Sequence, residues 1–530
     1  MVTKKSDKNG KKEKAARKKL AATKQKKKKF YLTTSIAYTN APPHIGFAYE
    51  LILSDVVARL HKMKGEDVFF LTGTDEHGTK IQKAAEKAEK SPEEFVNEIS
   101  AKFKELDKAL NISIDNFIRT TDRQAHWPTA QKIWERLAKS GDIYKKKYRG
   151  LYCYGCESFK TERELVNGLC PEHQKAPETV EEENYFFVLT KYIKSVSELI
   201  EKNEIQIIPE TRKSEVLNML KDMGDVSFSR PVSSLKWGIP VPDNNSQIID
   251  VWCDALTNYL SGIGFTSEPK KFKKYWPADL HVIGKDILKF HTIFWPAMLL
   301  SAKLPLPKKI FVHGFVTSGG QKMSKSIGNV IDPFEMIKMY GAESLRYFLL
   351  REIPGGEDGD FTEEIFIQRI NSDLADNLGN LVNRSLVLVE KYSDSTIPIT
   401  EKESLLKEKS EETIKKVNEY LEEFKFHHAL ESIFSLSSDA NRYINESEPW
   451  KIKDKKELDA VLYNTLETIR IISVLLYPFM PQTAERIAEQ IGMEKDFSQK
   501  KLKWGLLKPG KKIKRGDILF RKVMKVDLGQ

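Results

Sequence analysis

Cysteine is scarce in this chain, with four residues in 530. That excludes a disulfide-stapled scaffold and fits a reducing compartment, so a cytoplasmic setting is expected. Long apolar runs are lacking too. No uninterrupted stretch approaches the roughly 20 residues of a membrane-spanning helix, so no membrane association is expected. The first residues contain no apolar segment of the kind that marks secretion. Acidic residues are deficient at one end only. The net charge is +11, yet residues 1–29 hold thirteen lysines and Arg17 against Asp7 and Glu13, a net of +12. The rest of the chain therefore sums to about −1. Internal repeats are lacking, and low complexity is confined to that lysine tail.

Five hundred and thirty residues exceed what one core usually serves, so two or three domains are expected. Residues 1–29 read as a disordered arm that attracts nucleic-acid phosphates without reading sequence. Residues 30–35 are aromatic and β-branched and read as a buried strand. Apolar residues then recur at helical spacing from Phe47 to Gly65, and 68–72 reads as a second strand. Strand, helix and strand of these lengths form a βαβ unit, which implies a parallel sheet. Helices are expected over 81–90, 92–110 and 125–140, and helical and turn segments up to about 245. Strands are expected at 247–251, 280–284 and 310–315, with a helix over 286–302. Beyond about 370 strand signals vanish, and amphipathic helices are expected at 372–392, 403–423, 427–444, 455–477 and 481–491.

The fold class is therefore α/β: a split, parallel-sheet Rossmann-type domain (30–120 and 245–370) interrupted by a connective insertion (121–244). An all-α bundle with a C-terminal extension follows over 371–530. The insertion contains a small metal-held module at about 148–175. Its pattern, Cys153-x2-Cys156-x13-Cys170-x2-His173, puts four soft ligands around one ion, and thiolate and imidazole favour tetrahedral Zn²⁺. With four protein ligands the site is structural. Cys253, isolated from the others, reads as a small buried apolar residue.

Two short segments carry the chemistry. Pro43-His44-Ile45-Gly46-Phe47 sits where a strand passes into a helix, so backbone N–H groups and the positive helix end face a phosphate. Gly46 has no Cβ, which lets a flat ring approach the backbone. Gly319-Gly320-Gln321-Lys322-Met323-Ser324-Lys325-Ser326 is a flexible loop with two lysines that can close over a triphosphate. In this order, at the edges of one α/β core, they resemble the two nucleotide-binding segments of class I aminoacyl-tRNA synthetases.

Within that class, 30–78, 152–173, 229–240, 251–259, 281–296 and 313–333 are similar to the methionyl-tRNA synthetases. With the start of the helical domain, the resemblance covers essentially everything after the lysine tail. It implies an enzyme that joins ATP and L-methionine into methionyl-adenylate, with Mg²⁺ present, and passes the acyl group to the 3′ end of tRNA(Met). His44, Lys322 and Lys325 are the implied catalytic residues, and His44, Gly46, Gly284, Asp286 and Lys325 the ATP contacts. Family positions for methionine fall on Ile36, Tyr38, Asp75, Trp252, Ala255, Tyr259, Ile287 and His291. Here Asp75 suits the α-ammonium, the Trp252, Ile287 and Tyr38 wall suits a thioether, and Tyr259 and the Ile36 backbone offer weak donors to sulfur. Anticodon contacts are implied at Asn380, Arg384, Pro449 and Trp450, where Asn380 and Arg384 share a helix face and Trp450 offers a stacking surface.

Two departures stand out: Phe47 replaces the usual second histidine of the first motif, and Leu256 replaces a proline. Sister synthetases for isoleucine, valine and leucine need a large editing insertion, for which 121–244 leaves little room. A cysteine enzyme would use its zinc to hold substrate, which disagrees with four protein ligands. A non-catalytic tRNA-binding relative is suggested by Phe47 alone. The length after about 500 is too short for a C-terminal dimerising OB-fold, so a monomer is expected.

Overall fold

A computed structural model describes residues 27–171, 174–323 and 328–524. The lysine tail up to residue 26, the expected ligand His173 and the expected catalytic Lys325 lie outside the described residues. Among the described residues seven strands form one parallel sheet. They are β1 (Lys29–Thr33), β2 (Ala37–Tyr38), β3 (Asp67–Asp75), β4 (Asn116–Arg119), β5 (Gln206–Ile208), β6 (Leu280–Gly284) and β7 (Lys309–His313). β1 lies at the centre, with Phe30 opposite Val68 of β3 and Leu32 opposite Leu280 of β6. β2 takes over beside β3 where β1 stops, which sets Tyr38 opposite Asp75. β4 pairs with the other side of β3, and β7 and β5 continue the sheet beyond β6.

The chain leaves β1, turns through Pro42 and Pro43, and enters helix α1 (Ile45–Met63). Helix α1 is sandwiched, so its apolar ladder Ala48, Leu51, Ile52, Val56 and Leu60 is buried together with Glu50, Asp55 and Arg59. Gly65, in the left-handed region at φ +80, ends the turn that returns the chain to β3.

Three sequence expectations need correction. Residues 176–245 are not only helices and turns. Glu178–Phe187 is a long strand against Ile143–Cys153, in an antiparallel sheet that also holds Ser158–Lys160 and Val226–Ser227. Its outer positions carry lysine and glutamate, as in the Lys145–Glu183 pair at 3.3 Å, and such charge hides a period of two. β5 comes from the same stretch, yet joins the main parallel sheet. The expected strand at 247–251 is Asn244–Ile249, and it pairs antiparallel in a separate small sheet rather than in the main one. Finally, Lys29 belongs to the fold rather than to the tail: it opens β1, and its ammonium bonds to Asp279 at 2.8 Å.

The expected helices beyond 370 are present as α2 (Asn380–Ser393), α3 (Leu405–Glu422), α4 (Phe426–Ser447), α5 (Lys455–Leu476) and α6 (Pro481–Gln490). Leu430, Ile433, Leu466, Ile469 and Ile472 sit in the same hydrophobic core as α1 and β1. The extension after α6 is bound back onto the bundle: buried Glu467 accepts the backbone N–H groups of Gly505, Leu506 and Leu507 at 2.6–3.0 Å. No helix among the described residues is long and apolar enough to cross a membrane.

One ionic cluster joins the two halves. Asp55 on α1 is fully buried and accepts from Arg59 Nε at 2.7 Å, Arg346 Nη2 at 2.8 Å and Ser113 N–H at 2.8 Å. Arg346, also fully buried, donates further to the carbonyls of Leu110, Pro478 and Phe479 at 2.8–3.1 Å. Burial opposes charge on Asp55, but the two guanidinium groups outweigh it and hold the carboxyl below its ordinary range. Because the folded-state pKa is depressed, this contribution is present above the ordinary aspartate pKa and fades as pH falls through the native value. Replacing Arg346 by Leu removes a cation and strands three carbonyls, so we expect it to destabilise the protein by about 3–5 kcal/mol. Urea unfolding of the variant against the parent measures this, and a change below about 1 kcal/mol would exclude the cluster as the junction.

Candidate functional site

The C-terminal ends of β1, β2, β3 and β6 open into one cleft of about 1530 Å³. Such crevices at the carboxyl ends of parallel strands are where α/β sheets bind ligands. His44 forms the N-cap of α1 and accepts the Gly46 N–H through Nδ1 at 3.1 Å, which leaves the ring proton on Nε2. A Cβ on Gly46 would lie 2.9 Å from His44 Cε1. The ring that needs glycine here is therefore His44 itself, folded over its own helix end.

Gly284 ends β6, and a Cβ there would lie 2.7 Å from the carboxylate of Asp286. Asp286 is exposed on the cleft wall. Lys322 lies in the short strand Gln321–Lys322, with its ammonium 4.5 Å over the Phe315 ring. Phe47, at the position of the departure, is partly buried and packs edge-on against Phe103 at 4.9 Å. The aromatic at this position has become a packing residue.

All eight residues implied for the amino acid line the same cleft. Asp75 ends β3, is buried, and its Oδ1 has no hydrogen-bond partner among the described residues. Burial, with Asp254 and Glu157 nearby, pushes its carboxyl well above the ordinary range. A buried carboxylate in that state lacks a cation. Trp252, held by Asp250 capping its helix, stacks on Phe290 with centroids 3.4 Å apart. Ala255 and Leu256 are buried beside it, and Ile36 and Ile287 are half-buried.

His291 lies in a π-helical turn, Phe290–Phe294, inside the expected helix 286–302. Burial lowers its pKa to about 4, so the ring is neutral. Its Nδ1 lies 3.1 Å from the Ile287 carbonyl and its Nε2 lies 2.7 Å from the Tyr259 hydroxyl. The carbonyl assigns the proton to Nδ1, so Nε2 accepts from Tyr259. The donor expected from Tyr259 toward a substrate sulfur is thus committed to His291, and the contact left is the apolar ring.

Three participants carry no sequence signal of their own. Glu50, buried on α1, accepts the N–H and hydroxyl of Ser35 and faces His313 Nε2 at 2.8 Å. It reads as one more polar residue in a helix until the helix is seen to be covered on both sides. Asp254 is gripped by His77 at 2.7 Å and His126 at 2.6 Å behind the Trp252 wall. Glu157, next to a cysteine, reaches Tyr38.

Cys153, Cys156 and Cys170 converge, their sulfur atoms all within 4.8 Å of one another. The Cys156–Cys170 sulfur distance of 3.6 Å is far beyond a disulfide and matches thiolates about 2.3 Å from a shared tetrahedral ion. Burial pushes the Cys156 thiol up to about 12 even though the Lys160 ammonium beside it pulls the other way. Ionising three clustered thiols takes more positive charge than that lysine supplies, which fits a metal ion. Cys253 is buried and remote from this group, as expected.

On the bundle, Arg384 of α2 lies 5.7 Å over the ring of Trp450, which keeps 45% of its surface exposed. Asn380, exposed, starts the same helix, and Pro449 is buried beneath the tryptophan turn. An exposed indole under a guanidinium is a platform for an unstacked base.

Residues 30–177 and 172–386 match the family described as tRNA synthetases class I (M), and 395–529 match the anticodon binding domain of methionyl tRNA ligase. The methionine–tRNA ligase of Caldanaerobacter subterraneus subsp. tengcongensis is 47% identical over 93% of this chain and 79% of its own. That of Thermotoga maritima is 44% identical over 93% of this chain and 80% of its own. Among solved structures, Mycobacterium tuberculosis methionyl-tRNA synthetase in complex with methionyl-adenylate superposes with a TM-score of 0.89. It is 40% identical and covers 93% of this chain and 99% of that one. By family model, relatives and solved structures alike, the chain belongs to the methionyl-tRNA synthetases of class I.

Proposed function

We propose that the chain is a methionine–tRNA ligase. The observation that carries this reading is the single cleft, in which the His44 loop, the Gly284–Asp286 turn and the buried Asp75 carboxylate meet. Methionine enters with its ammonium toward Asp75, supplying the missing cation, and its thioether against Trp252, Tyr259 and the neutral His291. Its carboxylate attacks the α-phosphorus of ATP in line; the bond to the β-phosphate breaks and pyrophosphate leaves with Mg²⁺. The 2′-hydroxyl of the terminal adenosine of tRNA(Met) then attacks the mixed anhydride, and AMP leaves. No side chain forms a covalent bond. The enzyme acts by positioning and by charge placed where charge develops.

His44 Nε2 and the start of α1 suit the phosphates, and Lys322 and Lys325 the departing pyrophosphate. Gly284 and Asp286 suit the ribose, and Asn380, Arg384, Pro449 and Trp450 the anticodon. Cys153, Cys156 and Cys170, with His173 as fourth ligand, would hold one structural Zn²⁺, which fixes the module's turns and takes no part in the reaction. Action as a monomer is part of the reading, and the few cysteines support a cytosolic setting.

Four outcomes are expected. Methionine should support ATP–pyrophosphate exchange faster than isoleucine, leucine or cysteine, and Lys325→Ala should slow adenylation by about 10²-fold with little change in methionine binding. A faster rival amino acid ends the reading, and an unaltered rate in the variant removes Lys325 from the mechanism. Elemental analysis should find one zinc per chain, and Cys156→Ser should lose it and melt the module; purified protein with no zinc would refute the ligand set. Deleting residues 2–26, which stops short of the Lys28 and Lys29 contacts, should weaken tRNA binding mainly at low salt. Each phosphate the arm neutralises adds about 0.7–0.9 to the slope of log K against log salt. A shared slope for both proteins would make the arm inert.

A further inference from the structure

Glu157 directly follows the second cysteine of the metal module, yet its side chain points away from the sulfurs. It is 5% exposed and sits at φ +50, a left-handed backbone conformation uncommon for a residue with a side chain. That conformation turns the carboxylate into the amino-acid end of the cleft. There Oε2 accepts the hydroxyl of Tyr38, and Oε1 accepts the Lys80 N–H at 2.8 Å. Thr79 and Lys80 open the helix Thr79–Lys87, which has no side-chain cap from its own N-cap residue, Gly78. Glu157 supplies that cap from 77 residues away in sequence.

Gly78 shows how tightly the junction is built. A Cβ there would lie 2.4 Å from the Tyr38 hydroxyl and 2.7 Å from Glu157 Oε2, at φ +114. The peptide before Glu157 makes a second contact, in which the Cys156 carbonyl accepts the Trp252 indole N–H at 3.3 Å. Two consecutive residues thus touch both aromatic walls of the pocket. Tyr38 in turn lies opposite Asp75 across β2 and β3.

We propose that Glu157 is a positioning residue for the amino-acid substrate: its carboxylate fixes the Tyr38 ring and the start of helix Thr79–Lys87, and so sets the distance between the thioether wall and Asp75. This rests on the reading of the cleft as a methionine site. The chemistry demands a carboxylate. Two donors converge on it, one on each oxygen, so two acceptor oxygens are required, and a glutamine would present an N–H₂ to one of them. Metal loading is a separate matter, since the carboxylate faces away from the sulfurs.

Methionine-dependent ATP–pyrophosphate exchange, run on the full chain with its zinc content measured, tests this. Glu157→Gln should raise the methionine KM on the order of tenfold, the size of one lost charge-assisted hydrogen bond. The KM for ATP should move less than about twofold, and zinc per chain should match the parent. Tyr38→Phe should also raise the methionine KM, and the double variant should be no worse than Glu157→Gln alone, because both changes remove one contact. An unchanged methionine KM in either variant, an equal rise for ATP, or additive effects would overturn the proposal. Tyr38→Phe removes only a hydroxyl, so it decides the matter if Glu157→Gln fails to fold. If the parent protein gives no methionine-dependent exchange, the reading of the cleft fails instead, which is a different result.

Discussion

The buried junction of Asp55, Arg59 and Arg346 is the constraint on which the arrangement of the molecule depends. Taking three charges out of water costs several kcal/mol each, and only dense pairing offsets it. The pairing partners come from four places: α1, the end of the helix Pro92–Ala109, the helix Ala342–Glu352, and the turn after α5. None of these segments can shift by an ångström without stranding a charge or a carbonyl. Helix α1 carries His44 at its opposite end, so the grip that holds the bundle also fixes the nucleotide end of the cleft.

The cleft itself works by withholding charge. His281 and His291 are kept neutral by burial, Tyr259 by burial with Glu50 nearby, and Asp75 is held against ionisation with one oxygen unpartnered among the described residues. On the proposed reading, a substrate ammonium beside Asp75 would offset the cost of burying that carboxylate, while a side chain with a charge or a hydroxyl would add a new cost. On that reading, selection for a thioether over an aliphatic chain would lie less in a donor to sulfur than in ring contacts and shape. The Tyr259 hydroxyl already donates its hydrogen bond to His291.

Much of this was legible in the residues. The βαβ start, the helix from the His-Ile-Gly turn to Gly65, the paired Cys-x2-Cys spacing and the helices past 370 follow from periodicity and ligand chemistry. The eight pocket positions followed from resemblance, since spacing alone does not separate Trp252 from any core tryptophan. The strand Glu178–Phe187 was not legible, because Glu178, Glu181 and Glu183 face solvent while Glu182 is buried against Arg230, so charge on both faces masks the alternation. β5 is only three residues long, too short for any period to register. Glu50 and Glu157 were invisible for another reason: a carboxylate becomes informative only when three-dimensional neighbours bury it. Phe47 was visible as a departure, but its role as a packing partner of Phe103 needed the fold.

The order of strands in the sheet has a consequence for how the protein comes into being. β1 is central, yet its neighbour β6 lies about 250 residues later in the chain, with Leu32 meeting Leu280 and Thr33 meeting His281. At the ribosome's pace of about 5–20 residues per second, that gap amounts to about 10–50 s of synthesis. During that interval an apolar strand edge is exposed on a nascent chain, a template for pairing with other chains. The early helices can collapse meanwhile, but the sheet cannot close until residue 284 is clear of the exit tunnel. A cell making this chain must therefore shield one strand edge for about 10–50 s before the nucleotide cleft exists at all.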